Sequence, residues 1–226
     1  MTRPTLDPVE VRVLGALVEK AFATPDQYPL TLNAVLAACN QKTSRDPVMT
    51  LSDRDVRGAL DRLGRRGLVG TTAGAGHRVA KFRHNLDRAL DLSRGEITAL
   101  ALLMLRGPQT SGEIRTRSTR MADFPSVEAA DEAIWMLTDR EEPLVAVLPR
   151  QPGQAADRYV HLLSGEPDAA ETPASDPDAV PSGEEAPAPT EELRPDPSSL
   201  AVRVSTLEQD VADLRAQLAA FRAQFE

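Results

Sequence analysis

Arginine and lysine are the side chains that bind phosphate, and 14 of the 26 in this chain lie within its first 90 residues. A guanidinium group can form two parallel hydrogen bonds to a phosphate or to the edge of a guanine, whereas a lysine ammonium acts as a point charge. We therefore predict a nucleic-acid-binding site. Its candidate contacts are Lys42, Arg45, Arg54, Arg57, Arg65, His77, Arg78 and Lys81.

A helix over residues 52–66 would position three of these arginines. Ser52 is a suitable N-cap, and Gly67 is a suitable helix end. The residues expected to face the core recur at helical spacing: Val56, Ala59, Leu60 and Leu63. At a rotation of about 100° per residue, the opposite face and its flanks hold the following residues: Arg54, Arg57, Gly58, Asp61, Arg62 and Arg65.

Residues 68–72 and 78–82 are predicted to form a hairpin, because the loop 73–77 is rich in glycine. A helix followed by a basic hairpin is typical of a winged-helix domain. The alternative interpretation is an ordinary solvated helix surface that pairs its charges at i,i+4 spacing. It rests on acidic residues of the same helix that would repel phosphate: Asp53, Asp55 and Asp61.

The same order of elements recurs, which predicts two tandem units over residues 6–164. In the first, helices are expected at 7–22, 31–39 and 52–66, followed by the hairpin. In the second, helices are expected at 93–107, 110–118 and 126–140, and strands at 144–148 and 158–163. We accordingly assign residues 1–90 to a first winged-helix domain and residues 91–165 to a second.

The third helix of the second unit presents acids and Trp135 where the first presents bases. We expect this unit to bind a protein partner or a second copy of the chain, and not to enter a DNA groove. Its second helix and the following turn hold a candidate anion site of low specificity, formed by Arg115, Arg117 and Arg120.

The net charge of −8 comes mainly from one segment. Residues 1–90 carry 14 Lys/Arg against 9 Asp/Glu, residues 91–165 carry 8 against 11, and residues 166–197 carry 1 against 10. Since charges act within a Debye length of about 10 Å, the basic first unit can still attract a polyanion. The composition of 166–197 predicts a disordered acidic linker.

Residues 198–226 show a heptad pattern, which predicts a C-terminal coiled-coil helix and a parallel homodimer. The alternative is an amphipathic helix that folds back on its own domains. The predicted dimerisation residues are Leu200, Val204, Leu207, Val211, Leu214, Leu218 and Phe221.

Several functional classes are disfavoured. No apolar run approaches the roughly 20 residues that span a bilayer, and the N-terminus has no signal-peptide core, so we expect a cytoplasmic protein. The single cysteine, Cys39, cannot form an internal disulfide and is expected to be a small buried residue. There is no phosphate-binding loop, metal-ligand spacing or nucleophile elbow. We therefore expect no enzymatic activity, no cofactor and no metal.

Four stretches carry a family resemblance: residues 24–49, 76–84, 102–121 and 158–165. In these, the chain resembles the YceH-like family of bacterial proteins of unknown function. The resemblance implies a tandem winged-helix fold, often with a C-terminal coiled coil, and it implies no catalytic residues. The polar stretch 40–45 within it suggests a functional surface, with loop capping as the alternative.

Together these observations predict a mainly α fold with small β-hairpins (α+β). The expected function is a non-enzymatic, dimeric winged-helix protein that binds double-stranded DNA through its first unit, of the kind that regulates transcription. The alternative is an assembly adaptor whose winged-helix domains bind protein and not DNA.

Overall fold

Helices with small antiparallel sheets make up the protein, as the sequence predicts. A computed structural model describes residues 3–72, 79–150 and 154–166. All described residues belong to the first of the two units into which the chain divides, Met1–Ser182. His77, Arg78, residues 167–197 of the predicted linker and the whole predicted coiled coil lie outside the described residues.

The first repeat follows the order helix, strand, helix, helix, strand, strand. Its strands form one antiparallel sheet, in which the last strand along the chain lies between the other two. The predicted N-caps Thr31 and Ser52 are confirmed, and Asp7 caps the first helix; each side chain accepts a backbone hydrogen bond from the first turn of its helix. The elements are α1 (Pro8–Ala23), a 3-10 turn (Pro25–Gln27), β1 (Leu30–Thr31), α2 (Leu32–Cys39), α3 (Asp53–Arg65), β2 (Val69–Thr72) and β3 (Lys81–His84).

The second repeat has the same helical order after a short connecting helix. Ser93 caps the first of its three main helices, as predicted, and Thr110 and Ser126 cap the other two. An isolated antiparallel bridge between Gln109 and Tyr159 stands where the first repeat has β1. The elements are α4 (Leu86–Leu90), α5 (Arg94–Arg106), α6 (Ser111–Ser118), α7 (Val127–Thr138), β4 (Val145–Leu148) and β5 (Arg158–His161).

The prediction for the second hairpin strand is wrong in position. It placed the strand at 78–82, whereas β3 runs from Lys81 to His84. The register explains the shift: Phe82 pairs with Leu30 on one side and Thr71 on the other, and its ring packs against the core. The short elements α4 and β1 were not predicted, because runs this short carry no measurable periodicity.

The core runs continuously through both repeats, and its centre is the contact between α1 and α5. Leu14 and Leu17 on α1 and Leu100 and Leu103 on α5 are all fully buried. At Gly15, an added Cβ would lie 3.0 Å from Cγ of Leu105, so the absence of a side chain allows this close approach. The two repeats therefore share one hydrophobic core and are not independent domains joined by a linker.

Candidate nucleic-acid interface

Helix α3 begins with a capping box that uses one of the acids expected to repel phosphate. The Asp55 carboxylate accepts hydrogen bonds from the backbone N–H and the hydroxyl of Ser52, at 2.9 and 2.7 Å. These hydrogen bonds lower the pKa of Asp55. A carboxylate in the first turn also interacts favourably with the helix dipole. Asp55 thus has a structural role in forming the helix.

The inner and outer faces of α3 lie where the periodicity predicts. The four apolar residues of the predicted inner face are buried, and Arg54, Arg57 and Arg65 are exposed. Arg57 lies 3.2 Å from Asp53, one turn earlier, and both side chains are more than half exposed. Exposed pairs of this kind contribute only about 0.3–0.5 kcal/mol, so a phosphate could displace the aspartate. Neither Arg54 nor Arg65 forms an ion pair with any described residue.

The two remaining arginines of this region, Arg62 and Arg66, bind carboxylates at the start of α1. Arg62 donates from Nε to Glu10 at 2.8 Å and from Nη2 to Asp7 at 2.6 Å, and Nη1 of Arg66 lies 3.7 Å from Glu10. The hydrogen bond with Glu10 is the main cause that raises the pKa of Arg62. Arg62 and Arg66 therefore have structural partners at the start of α1, which Arg54, Arg57 and Arg65 do not.

Strand β3 adds two bases to the same repeat. Since side chains alternate along a strand, Lys81 and Arg83 share one face and Phe82 and His84 the other. His84 belongs to the inner face, with its ring centroid 6.1 Å from those of Phe22 and Tyr28, and its burial lowers its pKa. Arg83 is exposed and Lys81 is half-buried. Arg83 lies one residue beyond the end of the predicted strand and within the observed one.

Arg45, by contrast, is enclosed within the protein. Its side chain has no exposed surface and forms a bidentate pair with Glu19, at 3.0 and 2.6 Å, while also donating to the carbonyl oxygen of Ala38. Burial alone would raise the pKa of Glu19, but the hydrogen bonds and charge of Arg45 lower it. Asn40 likewise exchanges two hydrogen bonds with the backbone of Leu51. The polar stretch 40–45 therefore closes its own loop, with Lys42 exposed on it.

In the second repeat, two of the three arginines of the predicted anion site form internal hydrogen bonds. Arg115 donates to the carbonyl oxygens of Phe124 and Pro125. Arg117 donates to the side-chain oxygen of Gln109 at 2.9 Å and lies 3.5 Å from Glu113. Arg120 is exposed. Two of the three guanidinium groups are thus already engaged by groups of the protein itself.

Side chains suited to metal binding or nucleophilic chemistry do not cluster in the described ranges. These ranges hold no group of three or more His, Cys, Asp or Glu side chains that could bind a metal ion. Cys39 is buried, as predicted, and this burial raises the pKa of its thiol to about 12. Over the same ranges, no helix has the length and apolar character needed to cross a bilayer.

Comparison with known proteins finds one family and several close relatives. The profile of a family described as "Protein of unknown function, DUF480" matches residues 6–154. A UPF0502 protein of Geobacter metallireducens is 47% identical over 228 residues, which cover 98% of each chain. One from an Azoarcus species is 45% identical over 98% of this chain and 94% of its own. One from Chromobacterium violaceum is 53% identical over 72% of this chain and 74% of its own.

Proposed function

The chain belongs to this DUF480/UPF0502 family of uncharacterised bacterial proteins, and from its own geometry we propose that it is a non-enzymatic, dimeric winged-helix protein that binds duplex DNA. The family confirms the YceH-like resemblance. The first repeat would contact the DNA. The role that best suits such a protein is regulation of transcription.

The observation that carries the proposal is the outer face of α3. Arg54 and Arg65 are exposed with no ion pair to a described residue, and Arg57 has only a weak exposed one. Gly58 lies between them, and the position of its absent Cβ is approached within 4 Å only by the guanidinium of Arg62. An arginine-bearing helix with little bulk at its centre can approach a DNA backbone or groove closely.

The topology of the first repeat supports the winged-helix assignment. Its order of elements, with β1 added to the β2–β3 hairpin, is that of a helix-turn-helix unit followed by a hairpin wing. In this assignment α3 is the recognition helix, and Lys81 and Arg83 lie on the wing, where they would reach neighbouring phosphates. Lys42 would add a further backbone contact. Arg45 is left out of the proposed interface because its guanidinium is already bound by Glu19.

Binding of duplex DNA by the full chain tests the proposal, measured by fluorescence anisotropy between about 50 and about 300 mM salt. We expect affinity to fall steeply with salt. The triple variant R54A/R57A/R65A should bind more weakly, and its slope of log affinity against log salt should be shallower by about 0.9 for each phosphate that the removed arginines neutralise. The matched control is R120A, which removes an exposed arginine from the second repeat.

Two outcomes would remove the DNA proposal: no binding at low salt, or binding that does not depend on salt. If R120A weakens binding as much as the triple variant, the contact surface is not α3. The dimer is tested separately by deleting residues 198–226, which should yield monomers in light scattering. If the shortened chain is still a dimer, the dimer interface lies in the winged-helix repeats.

The adaptor alternative draws its support from a different part of the molecule. Helix α7 occupies in the second repeat the place of α3 in the first, yet it contains no lysine or arginine. A surface of that charge fits a protein partner better than a polyanion. Both activities could coexist in one chain, because they would use different repeats.

A further inference from the structure

The outer face of α7 exposes a tryptophan among carboxylates. Trp135 is 57% exposed and the adjacent Met136 is 46% exposed. Glu128, Glu132, Trp135 and Asp139 follow one another at i, i+4, i+7 and i+11, so they form one stripe along the helix. The opposite face packs into the core through Ala130, Ile134 and Leu137.

Three features of this stripe are unfavourable in the isolated protein. A tryptophan is a large apolar side chain that stabilises a protein mainly when it is buried. Glu128 and Glu132 are like charges at i,i+4 spacing, which repel each other on a helix surface. Asp139 is the C-cap of α7, at the helix end where the dipole favours a cation.

Compensating cations are scarce around the stripe. Arg140 follows Asp139 directly, but it pairs with Glu96 at 3.3 Å and donates to the carbonyl oxygen of Leu90. Glu128 lies in the first turn of α7, where hydrogen bonding to Ser126 lowers its pKa. The charge of Arg115 lowers it less, and the hydrogen bonds of Arg115 go to backbone carbonyls. A cationic partner would relieve all three unfavourable features at once.

We propose that the outer face of α7 is the docking site for a lysine- or arginine-bearing segment of a protein partner. The cations of that segment would pair with Glu128, Glu132 and Asp139, and one of them would stack on the indole ring of Trp135. The apolar part of the segment would cover Trp135 and Met136. This inference is independent of DNA binding by the first repeat.

Charge separates this occupant from the others that could cover the face. Residues 166–197 of the same chain carry 1 Lys/Arg against 10 Asp/Glu, and residues 198–226 carry 3 against 4, so neither segment has the net positive charge that would complement an acidic surface. Nucleic acid is excluded by the same repulsion. A second copy of the chain could offer the arginines of α3, and this case is distinguished experimentally.

The test uses the full chain and its single tryptophan, Trp135, as an intrinsic reporter. The probe is a synthetic helical peptide with Lys or Arg at i,i+4 positions and leucines beside them, and its control has each base replaced by Glu. We expect the basic peptide alone to shift Trp135 emission saturably. The double variant E128Q/E132Q should bind at least about tenfold more weakly, with the difference reduced by salt.

Asp61→Asn is the matched control, because it removes an exposed carboxylate from the corresponding helix of the first repeat. It should leave peptide affinity unchanged, and circular dichroism should show that both variants fold. No emission shift with the basic peptide, or equal binding by E128Q/E132Q, would overturn the proposal. A second result would also overturn it: W135A abolishes self-association in sedimentation, and the unmodified full chain does not bind the peptide. The occupant of this face would then be a second copy of the chain.

Discussion

The carboxylate of Glu10, only 2% exposed, accepts a hydrogen bond from Nε of Arg62 at 2.8 Å, which joins the first turn of α1 to the third helix of the same repeat. The second repeat has an equivalent pair, in which Glu96 on α5 lies 3.3 Å from Arg140 just beyond α7. Both glutamates also close the capping box of their helix. In each repeat, therefore, one buried carboxylate both completes the capping box of the first helix and binds an arginine in or just after the third.

Replacing Arg62 with Met should destabilise the protein by about 1–3 kcal/mol, because it leaves the buried Glu10 carboxylate short of a donor. Arg66, 3.7 Å from Glu10, limits the loss. Urea unfolding provides the measurement. Arg57→Met is the control: its pair with Asp53 is exposed, so the change should stay within about 0.5 kcal/mol. Equal effects of the two changes would show that the Glu10 contact has no special role.

Replacing Arg45 with Met should cost about 3 kcal/mol or more, since it leaves the Glu19 carboxylate buried without its bidentate partner. The double variant E19Q/R45M should recover part of this loss, because neither position then holds an unpaired buried charge. Chemical unfolding of the two single variants and the double variant would give the coupling energy. Simple additivity would contradict a direct contribution of the pair.

The Arg45–Glu19 pair should make the free energy of unfolding depend on pH in the acid range. The pKa of Glu19 is lowered in the folded state, so the pair contributes fully above the unfolded glutamate pKa of about 4.3 and its contribution is lost as pH falls through the folded value. Between about pH 5 and pH 3, the free energy of unfolding should therefore fall less in E19Q than in the unmodified chain. Parallel curves would contradict this assignment.

His161 should make stability depend on pH over a higher range than Glu19 does. Its Nδ1 is buried without a hydrogen-bond partner among the described residues, and burial lowers its pKa to about 4. The unfolded state therefore binds more protons between about pH 6.5 and pH 4, and stability should fall over that range as pH decreases, by about 3 kcal/mol at most. His161→Phe should flatten this part of the curve. His84, whose pKa burial also lowers, should contribute a second share that H161F leaves in place.

Two glycines should respond oppositely to alanine. Gly15→Ala would place a Cβ 3.0 Å from Leu105 where α1 meets α5, and we expect it to cost about 1–3 kcal/mol. Gly58→Ala on α3 meets only Nη1 of Arg62, at 3.3 Å, while the hydrogen bonds to Glu10 and Asp7 use Nε and Nη2. Because a small shift of Nη1 makes room, the better helix propensity of alanine should stabilise the protein by about 0.5–1 kcal/mol. Thermal unfolding of the two variants decides between these signs.

If α3 binds DNA, Asp61 opposes that binding, because it is an exposed carboxylate on the arginine-bearing face. Asp61→Asn should then increase affinity for duplex DNA by about threefold to tenfold at low salt, and by less as salt is raised. Glu132→Gln, the same kind of change on α7, should have little effect. An equal increase from both would indicate general charge attraction and not a contact at α3.

The sequence alone was sufficient for features set by neighbouring residues. Side-chain caps at Thr31, Ser52 and Ser93, and the apolar faces of the helices, depend on spacing over a few residues, and the structure confirms them. The repetition of the helical order was visible for the same reason. The α+β class followed from these local patterns, whereas the family followed from the resemblance of four sequence stretches.

Tertiary structure decided which charged residues are available to a ligand. Arg45 and Arg54 both have polar neighbours in the sequence. In the folded protein Arg45 is bound by Glu19, which lies 26 residues earlier in the chain, whereas Arg54 is not. Arg62 is likewise bound by Glu10, 52 residues earlier. The placement of β3 also depended on pairing with β1 and β2 across the sheet. Because such partners are distant in the chain and come together only on folding, local periodicity contains no record of them.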